Sequence, residues 1–298
     1  MAHERNVMTM KKIPVSKIIL HIILIAMSLT YILPLILMVS ISVSSQSDVS
    51  EYGYMLIPKH IDWQAYKLAL ANPQQIIQSY KVTILFSVLA TVGGMAVQSA
   101  MAYPLARNCY KFKSFTLKYL IVTMLFSGGL VPTYILTTKY LHLGNSFWVY
   151  IIPSLFSAWN VVLYKTFFQN LPDGLIEAAK IDGASEYSIY FRIVLPLSTP
   201  ILATLGFMAL VAKWNDWNTT LLYIRESKLY SLQYLLQKIL RETEYLKSLS
   251  NTAEGALMDS DNLPSDTLKY AMAVLAAGPM LVIFPFFQKY FAKGMVVG

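Results

Sequence analysis

The chain has 298 residues, of which 56% are hydrophobic and 13% are charged. This balance excludes an ordinary soluble domain, in which about 45–50% of residues are apolar and about 25% are charged. The formal net charge of +8 does not indicate nucleic-acid binding, because the basic residues lie between long apolar runs rather than in one patch with interleaved aromatics. The single cysteine, Cys109, excludes an intrachain disulfide and a cysteine-based zinc cluster, and we expect no metal site.

The first apolar run, from Ile18 to Val43, follows a group of lysines as the core of a secretory signal would. The run is 26 residues long, whereas a signal core spans about 7–15 residues and a membrane crossing needs about 20. We therefore predict a first transmembrane helix, preceded by a cytoplasmic segment of residues 1–17. His21 lies in this span without a carboxylate beside it, which favours a structural role in a helix bundle over proton relay.

Five further apolar runs predict an all-α polytopic protein with six transmembrane helices, forming a single membrane domain over residues 18–298. The approximate bounds of these runs are Tyr80 to Tyr103, Thr116 to Leu136, Phe147 to Phe168, Thr199 to Leu222 and Leu268 to Phe287. Gly93-Gly94 falls in one run, and Gly128-Gly129 with Pro132 interrupts the next. These residues allow two interpretations, close helix packing or a break that shapes a cavity.

An even number of spans places both termini on one side, and the distribution of Lys and Arg assigns that side to the cytoplasm. Basic residues near the span ends on this side are Arg5, Lys11, Lys12, Lys17, Arg107, Lys111, Lys113, Lys118, Lys165, Lys180, Arg192, Lys289 and Lys293. The opposite loops contain few basic residues or match them with acidic ones, as in the long loop 223–267. We therefore predict a multi-pass membrane protein with both termini in the cytoplasm.

The connection between the fourth and fifth spans, residues 170–198, is the largest predicted cytoplasmic loop. Pro172 suits a first helical position, Gly183 suits the left-handed residue that ends a helix, and Ser185 suits the cap of the next helix. The sequence predicts two short helices joined by a turn, with the second helix ending before Pro196. Apolar residues recur at helical spacing in the second helix and are expected to face the bundle: Ile189, Tyr190, Ile193 and Val194.

The outer loop 223–267 contains a predicted amphipathic helix. Its apolar face consists of Leu232, Leu235, Leu236, Ile239, Leu240 and Leu246, and its charged residues Lys238, Arg241, Glu242 and Lys247 lie largely off that face. The helix either packs on the outer surface of this chain or contacts an extracytoplasmic partner.

Absent motifs narrow the function of such a membrane protein. The sequence has no Walker A pattern, no His-Glu-x-x-His and no Gly-x-Ser-x-Gly, so we expect a non-enzymatic chain that does not hydrolyse ATP. Ion-coupled carriers usually hold carboxylates within their spans, but here only Asp216 is found, three residues after Lys213 and able to pair with it. Energy for uphill transport would have to come through contact with another subunit, for which loop 170–198 is the suitable surface.

Residues of this loop carry a family signature: Glu177-Ala178-Ala179, Asp182-Gly183-Ala184, and then Phe191, Ile193, Leu195 and Pro196. They resemble the EAA motif of the permeases of binding-protein-dependent ABC importers. The resemblance implies a type I ABC importer permease fold, with the loop as a coupling helix in a cleft of a cytoplasmic ATPase. The ATPase-coupling residues that it implies are Glu177, Ala178, Ala179, Asp182, Gly183 and Ala184. In this set the glutamate makes a polar contact, the first two alanines fit the cleft, and Asp-Gly shapes the turn.

Other segments resemble the carbohydrate-uptake branch of this family and are similar to the second permease of maltose-type importers. These segments are Phe126 to Tyr134, Lys213 to Asn218 and Pro285 to Gly294. The first is similar to permeases for complex oligosaccharides, often fragments of plant or algal polysaccharides. The resemblance therefore implies import of oligosaccharides from complex polysaccharides, acidic ones included.

The same resemblance implies the partners. They are a related permease that forms a heterodimer with this chain, two copies of a cytoplasmic ATPase, an extracytoplasmic sugar-binding protein and the lipid of a bacterial inner membrane. ATP and Mg would be bound by the ATPase, and this chain would hold no cofactor. In the family, ATP binding closes the ATPases, brings the coupling helices together and opens the membrane cavity outward, and hydrolysis resets it.

Sugar contacts are expected where aromatic faces lie beside amides and hydroxyls, because the C–H face of a sugar ring stacks while its hydroxyls need partners. Candidates for the substrate pathway are Trp159, Asn160, Tyr164, Trp214, Asn215, Trp217 and Asn218. Trp and Asn also pack and cross-link membrane helices, so a purely structural role for these residues stays open.

Two alternatives to a sugar permease remain at this point. The EAA motif permits a permease of the same type for a non-sugar solute, although the Trp-Asn and C-terminal segments disfavour it. A stand-alone carrier or channel would transport without an ATPase.

Overall fold

The computed structural model describes residues 15–250 and 265–294. Within these ranges the chain is almost entirely helical, no strand is present, and one isolated antiparallel bridge joins Ser44 and Ile61. The chain divides into two compact units. One comprises residues 1–68 and 250–274, and the other comprises residues 69–249 and 275–298.

The first unit contains α1 (Val15–Ser42), α2 (Gln46–Tyr52) and α3 (Gln64–Ala69), and the last residue of α3 belongs to the second unit. Within residues 16–42, an 18-residue window reaches a mean hydropathy of 2.6, and most of the large apolar side chains of α1 are exposed. Such a surface suits contact with hydrocarbon, where a helix satisfies most of its backbone groups internally, although Pro34 lacks one donor within α1. His21 is exposed on this helix, where its Nδ1 lies 2.5 Å from the carbonyl oxygen of Lys17.

Polar side chains of α2 form hydrogen bonds with the start of the helix at Ser265–Gly294 and with the segment before α3. The side-chain oxygen of Gln46 accepts hydrogen bonds from the backbone N–H groups of Asp266 and Thr267, both at 3.2 Å. Asp48 accepts a hydrogen bond from the backbone N–H of His60 at 3.1 Å. Because both side chains are buried, these satisfied contacts favour one arrangement of the chain around them.

The second unit contains the helices that form the candidate site. They are α4 (Pro73–Ala106), α5 (Lys113–Leu125), α6 (Leu130–Ile135), α7 (Ala158–Gln169), α8 (Asp173–Ile181), α9 (Glu186–Ile189), α10 (Leu195–Leu197), α11 (Thr199–Trp214), α12 (Asn218–Tyr223) and α13 (Leu232–Ser250). The last helix, α14 (Ser265–Gly294), begins in the first unit and continues in the second. Short 3₁₀ turns lie at Phe147–Tyr150, Ile152–Ser154 and Ser227–Leu229, and π turns at Leu136–Tyr140 and Tyr190–Val194.

Helix α4 lies at the centre of this unit and packs most extensively against α7 and α11. A Cβ atom on Gly93 would lie 2.8 Å from Cδ2 of Leu155, and one on Gly206 would lie 2.6 Å from the sulfur of Met95. Both distances are shorter than a carbon contact permits, so these glycines allow the neighbouring segments to approach closely. Gly93 therefore has the close-packing role that was one of its two interpretations.

In the described part of the chain, three helices are long and apolar enough to cross a membrane by themselves, within residues 16–42, 73–106 and 266–286. Three further candidates are bent pairs of helices, which raise the number of spans to as many as six. The pair formed by residues 113–125 and 130–140 bends by 112°, at a break where Gly129 has φ of +82°. The structure thus contains the break, but none of the cavities described below is lined by this segment, so the interpretation that the break shapes a cavity stays a prediction.

The predicted fifth span, Thr199 to Leu222, is not one continuous helix. Helix α11 ends at Trp214, and α12 begins again at Asn218. The carboxylate of Asp216 accepts hydrogen bonds from the backbone N–H of Thr219 at 3.0 Å and from its hydroxyl at 2.7 Å. Short polar side chains that bond to nearby backbone in this way compete with the helical ladder, which explains the break.

The predicted amphipathic helix is present as α13. Leu232, Leu235 and Leu236 are buried, whereas Lys238 and Arg241 are exposed. The backbone N–H of Leu232 donates to the hydroxyl of Thr83 at 2.8 Å. The start of this helix therefore packs on its own chain, and contact with an extracytoplasmic partner stays a prediction.

Candidate functional site

The loop of residues 170–198 has the predicted helix, turn and helix. Helix α8 begins at Asp173, with Pro172 at the cap position rather than the first helical position. The turn requires Gly183, whose φ is +76°, in the left-handed region that disfavours a side chain. The hydroxyl of Ser185 accepts a hydrogen bond from the backbone N–H of Ser188 at 3.3 Å, so the predicted cap of α9 is confirmed.

The prediction that the second helix ends before Pro196 is wrong. The helical path continues from α9 through the π turn Tyr190–Val194 and through Leu195–Leu197, and it changes direction only at Ser198. A proline ring collides with the preceding turn of a regular α-helix. The wider π turn just before Pro196 removes that conflict, and π turns of this kind are frequent at functional sites.

The signature residues divide between the exposed and packed sides of the loop. Glu177, Ala178, Asp182 and Gly183 are exposed, and within the described residues Glu177 forms no ion pair. Ala179 and Ala184 are half-buried and pack against the hydrophobic core that includes Ile176, Ile189, Tyr190 and Val194. The structure thus presents a small surface with two exposed carboxylates, those of Glu177 and Asp182, and the core packs beneath it.

Glu186 fastens the loop to α4. Its carboxylate accepts a hydrogen bond from the hydroxyl of Tyr103 at 2.5 Å and lies 2.7 Å from the ammonium of Lys180. The hydrogen bond from Lys180, and then that from Tyr103, hold the pKa of Glu186 below its ordinary value. One turn earlier on α4, the hydroxyl of Ser99 lies 2.8 Å from that of Tyr190. Two polar contacts therefore join the second helix of the loop to α4, and α8 is linked to them through the ion pair of Lys180 with Glu186.

A cavity of about 530 Å³ lies beside this junction. Tyr103, Arg107, Tyr190 and Phe191 are among its lining residues. The buried Nε atom of Arg107 has no hydrogen-bond partner within the described residues. The cavity leaves one side of the loop's second helix without packing, so the loop is held mainly by the contacts to α4 and by the core beneath it.

A second, smaller cavity lies among α4, α7 and α11 and has a volume of about 220 Å³. Its polar lining residues are Thr91, Gln98, Ser154, Ser157, Asn160, Tyr164 and Lys213. The side chain of Asn160 donates to the side-chain oxygen of Gln98 at 3.1 Å, and Gln98 donates to the carbonyl oxygen of Leu155 at 3.2 Å. A pair of amides is thus fixed at the wall of a cavity enclosed by apolar helices.

Two hydroxyl groups in this cavity are buried without a partner. The hydroxyls of Thr91 and Tyr164 are inaccessible and form no hydrogen bond within the described residues, and the two residues are 8% and 0% exposed. Buried polar groups are nearly always hydrogen-bonded in folded proteins. These two hydroxyls are therefore unsatisfied, and the surrounding side chains must shift before a molecule in the cavity can bond to them.

Lys213 supplies the cation of this cavity. Its ammonium lies 3.6 Å from the carboxylate of Asp216, so the predicted pair is confirmed. The same carboxylate also accepts both hydrogen bonds from Thr219. None of the residues that line the cavity is an aspartate or a glutamate. The site can thus donate hydrogen bonds from an ammonium, amides and hydroxyls, and it can accept them through amide and hydroxyl oxygens.

The sequence-predicted substrate residues do not all meet at this cavity. Asn160 and Tyr164 line it. Trp214 is buried elsewhere, with its indole N–H donating to the carbonyl oxygen of Ala276 at 2.9 Å. Trp159 is 60% exposed. The remaining three, Asn215, Trp217 and Asn218, lie at the break between α11 and α12, outside the cavity lining.

Five polar lining residues were absent from the predicted pathway: Thr91, Gln98, Lys213, Ser154 and Ser157. A signal for the first two exists in the sequence, because polar residues seven apart in an apolar span share one face of the helix. Lys213 was recognised only as a partner for Asp216. Its position on the cavity wall depends on how α11 packs against α4 and α7, which local spacing does not determine.

This arrangement of apolar, broken helices around a polar cavity, with a helical loop projecting from them, defines a membrane transport permease. The chain belongs to the family described as the inner membrane component of binding-protein-dependent transport systems, which it matches over residues 6–297. Its fold is that of an ABC importer permease. It is similar to a chain of a bacterial ABC transporter involved in import of the acidic polysaccharide alginate, with a TM-score of 0.75, 26% identity, and coverage of 93% of this chain and 96% of that chain.

Two relatives from Bacillus subtilis (strain 168) are similar over most of their length. Protein LplC is 38% identical over 267 residues, which cover 90% of this chain and 88% of LplC. The polygalacturonan/rhamnogalacturonan transport system permease protein YtcP is 35% identical over 276 residues, which cover 92% of this chain and 94% of YtcP.

Proposed function

We propose that this chain is the permease subunit of an ATP-driven importer that takes up oligosaccharides from complex polysaccharides, acidic ones included. The polar cavity among α4, α7 and α11 is the observation that carries this proposal, since its amides and hydroxyls suit a polyhydroxylated solute. Similarity to permeases of a polygalacturonan/rhamnogalacturonan system and of an alginate transporter supports a sugar over another solute.

The energy would come from a partner, because the sequence has no nucleotide-binding motif of its own. We assign the contact with this partner to the exposed surface around Glu177, Ala178 and Asp182. A helix surface with small residues allows another backbone to approach closely, and an exposed carboxylate such as that of Glu177 can pair with a cation of the ATPase. In this assignment, ATP and Mg are bound by the ATPase.

The complete importer would contain this chain, a related second permease, two ATPase subunits and an extracytoplasmic sugar-binding protein. Both termini and loop 170–198 would lie in the cytoplasm, in agreement with the distribution of Lys and Arg. The loop 223–267, with α13, would then face the binding protein's side of the membrane.

The contacts of α4 suggest how the loop could act on the cavity. When the ATPases close, they would displace α8 and α9 together, because Lys180 and Glu186 join the two helices. The displacement would pass to α4 through Tyr103 and through Ser99. Since α4 also carries Thr91 and Gln98, movement of this helix would change the shape of the cavity.

The proposal is tested by uptake of radiolabelled trigalacturonate into proteoliposomes that contain the complete importer. We expect uptake that requires ATP, the ATPase and the binding protein. Uptake by this chain alone without ATP would instead identify a stand-alone carrier. A complete importer that hydrolyses ATP but moves amino acids or ions rather than any oligosaccharide would identify a permease for a non-sugar solute.

A further inference from the structure

We propose that the cavity among α4, α7 and α11 is a subsite for one uronate residue of the transported oligosaccharide, and that Lys213 recognises its carboxylate. This inference rests on the proposed function and specifies its substrate class, a sugar chain with carboxylate groups. The wall residues that would contact the sugar hydroxyls are Thr91, Gln98, Asn160 and Tyr164.

The volume fits a single sugar ring. At about 220 Å³ the cavity is smaller than the pockets of about 300–1,000 Å³ that hold drug-sized ligands. It therefore admits one ring of an oligosaccharide rather than the whole chain. The rest of the sugar would extend out of the cavity, which is partly open.

The amides of the wall suit a polar occupant, and so do its two buried hydroxyls once side chains shift to expose them. Thr91 and Tyr164 each place a buried hydroxyl at the cavity without a hydrogen-bond partner in the described part of the chain. The amides of Gln98 and Asn160 hold each other in a fixed orientation at 3.1 Å. Sugar hydroxyls both donate and accept, so they match this mixture of groups, whereas an apolar solute would leave the buried hydroxyls unsatisfied.

The charge of the wall favours an anion. Lys213 is the one cation among the lining residues, and none of them carries a carboxylate. The pair with Asp216 leaves the ammonium incompletely neutralised, because the distance is 3.6 Å and Asp216 also accepts both hydrogen bonds from Thr219. An ammonium has three donor positions, and a charge among membrane helices is costly unless it has a function. A sugar carboxylate would complete its coordination.

Replacement of the lysine tests this assignment. Uptake by the complete importer is measured for trigalacturonate and for its neutral counterpart, the carboxyl-reduced trisaccharide, with the same binding protein throughout. We expect Lys213→Met to lower kcat/KM for trigalacturonate by about 10- to 100-fold, as loss of a charge-assisted hydrogen bond would. In the same variant, kcat/KM for the neutral sugar should fall little. Lys213→Arg should keep the preference for the acidic sugar.

Two further variants separate recognition from structure. Asp216→Asn can still cap α12, and it frees the ammonium, so the preference for trigalacturonate should be kept or increased. Lys165→Met is the matched control, since Lys165 is a half-exposed lysine on α7 that does not line the cavity. This variant should take up both sugars as the wild type does.

The proposal is overturned if Lys213→Met lowers uptake of both sugars equally or leaves uptake of both unchanged. It is also overturned if Asp216→Asn abolishes the preference for trigalacturonate over the neutral sugar. Each of these outcomes would make Lys213 a structural residue. A wild-type importer that takes up neither an acidic nor a neutral oligosaccharide would instead contradict the proposed function.

Discussion

The hydroxyl of Tyr103, near the end of α4, donates a hydrogen bond to the carboxylate of Glu186, the first residue of α9. On the same helix, Gln98 lines the polar cavity only five residues earlier, which is about 7–8 Å along a helix axis. One continuous helix therefore carries both an anchor of the loop and a wall of the cavity. This relationship gives the proposed coupling a short and rigid path.

Removal of this hydrogen bond should loosen the coupling between ATP hydrolysis and transport. We expect Tyr103→Phe to lower the number of sugars transported per ATP by about 2- to 10-fold, because a hydrogen bond to a charged group contributes about 1.5 kcal/mol or somewhat more. Uptake and ATP hydrolysis are measured together in proteoliposomes. Tyr119→Phe, at an exposed tyrosine of α5, is the matched control. An unchanged ratio in Tyr103→Phe would show that the contact is not part of the path.

The pH dependence of stability reports on Glu186. Lys180 and Tyr103 lower its pKa from the ordinary value of 4.5, so the ionised carboxylate stabilises the folded loop above pH 4.5, and this contribution is lost as the pH falls through the lowered pKa. Glu186→Gln should therefore be less stable than the wild type at pH 7, by less than about 1 kcal/mol because the ion pair is partly exposed. The difference in Tm should shrink below pH 4.5. A difference that disappears already between pH 7 and pH 6 would contradict the assignment.

Gly183 should tolerate a side chain poorly. Its φ of +76° is left-handed, and this conformation costs about 1–2 kcal/mol for a residue with a Cβ. We expect Gly183→Ala to lower the stability of the loop by that amount, measured by hydrogen exchange of residues 173–189. Gly174→Ala is the control, because Gly174 lies within α8 without a left-handed φ and has space for a methyl group. Equal effects of the two substitutions would argue against a role for the left-handed turn.

The buried hydroxyls of the cavity offer a test of what fills it. We expect Thr91→Val and Tyr164→Phe each to lower uptake of acidic and neutral sugars alike by about fivefold, as loss of a hydrogen bond of about 1 kcal/mol would. The transport rate is measured at a sugar concentration well below KM. Unchanged transport in both variants would show that these hydroxyls form no hydrogen bond to the transported sugar.

Local chemistry made the loop predictable, whereas the cavity depends on tertiary packing. Gly183 and Ser185 specify a turn and a cap through their own backbone preferences, which a sequence displays directly. The course of the chain at Pro196 was predicted wrongly, because the rule for proline assumes a regular α-helix and a π turn stands there instead.

The cavity could be predicted only in part. Asn160 and Tyr164 were candidates from their residue types, but Thr91, Gln98 and Lys213 join them only when three helices pack together. The tryptophans were proposed because of their suitability for sugar stacking. Trp214 instead lies buried with its N–H bonded to Ala276, a contact between segments 62 residues apart that no spacing rule indicates.

We propose that the partner ATPase contacts the exposed surface around Glu177 and, through this contact, drives transport. The most direct measurement is ATP-driven uptake by the complete importer with Glu177→Lys, compared with Glu242→Lys at an exposed glutamate of α13. Membrane insertion and assembly with the second permease are checked for both variants. We predict that Glu177→Lys abolishes uptake while insertion stays intact and Glu242→Lys transports normally. Full uptake by Glu177→Lys would contradict the assignment of this surface.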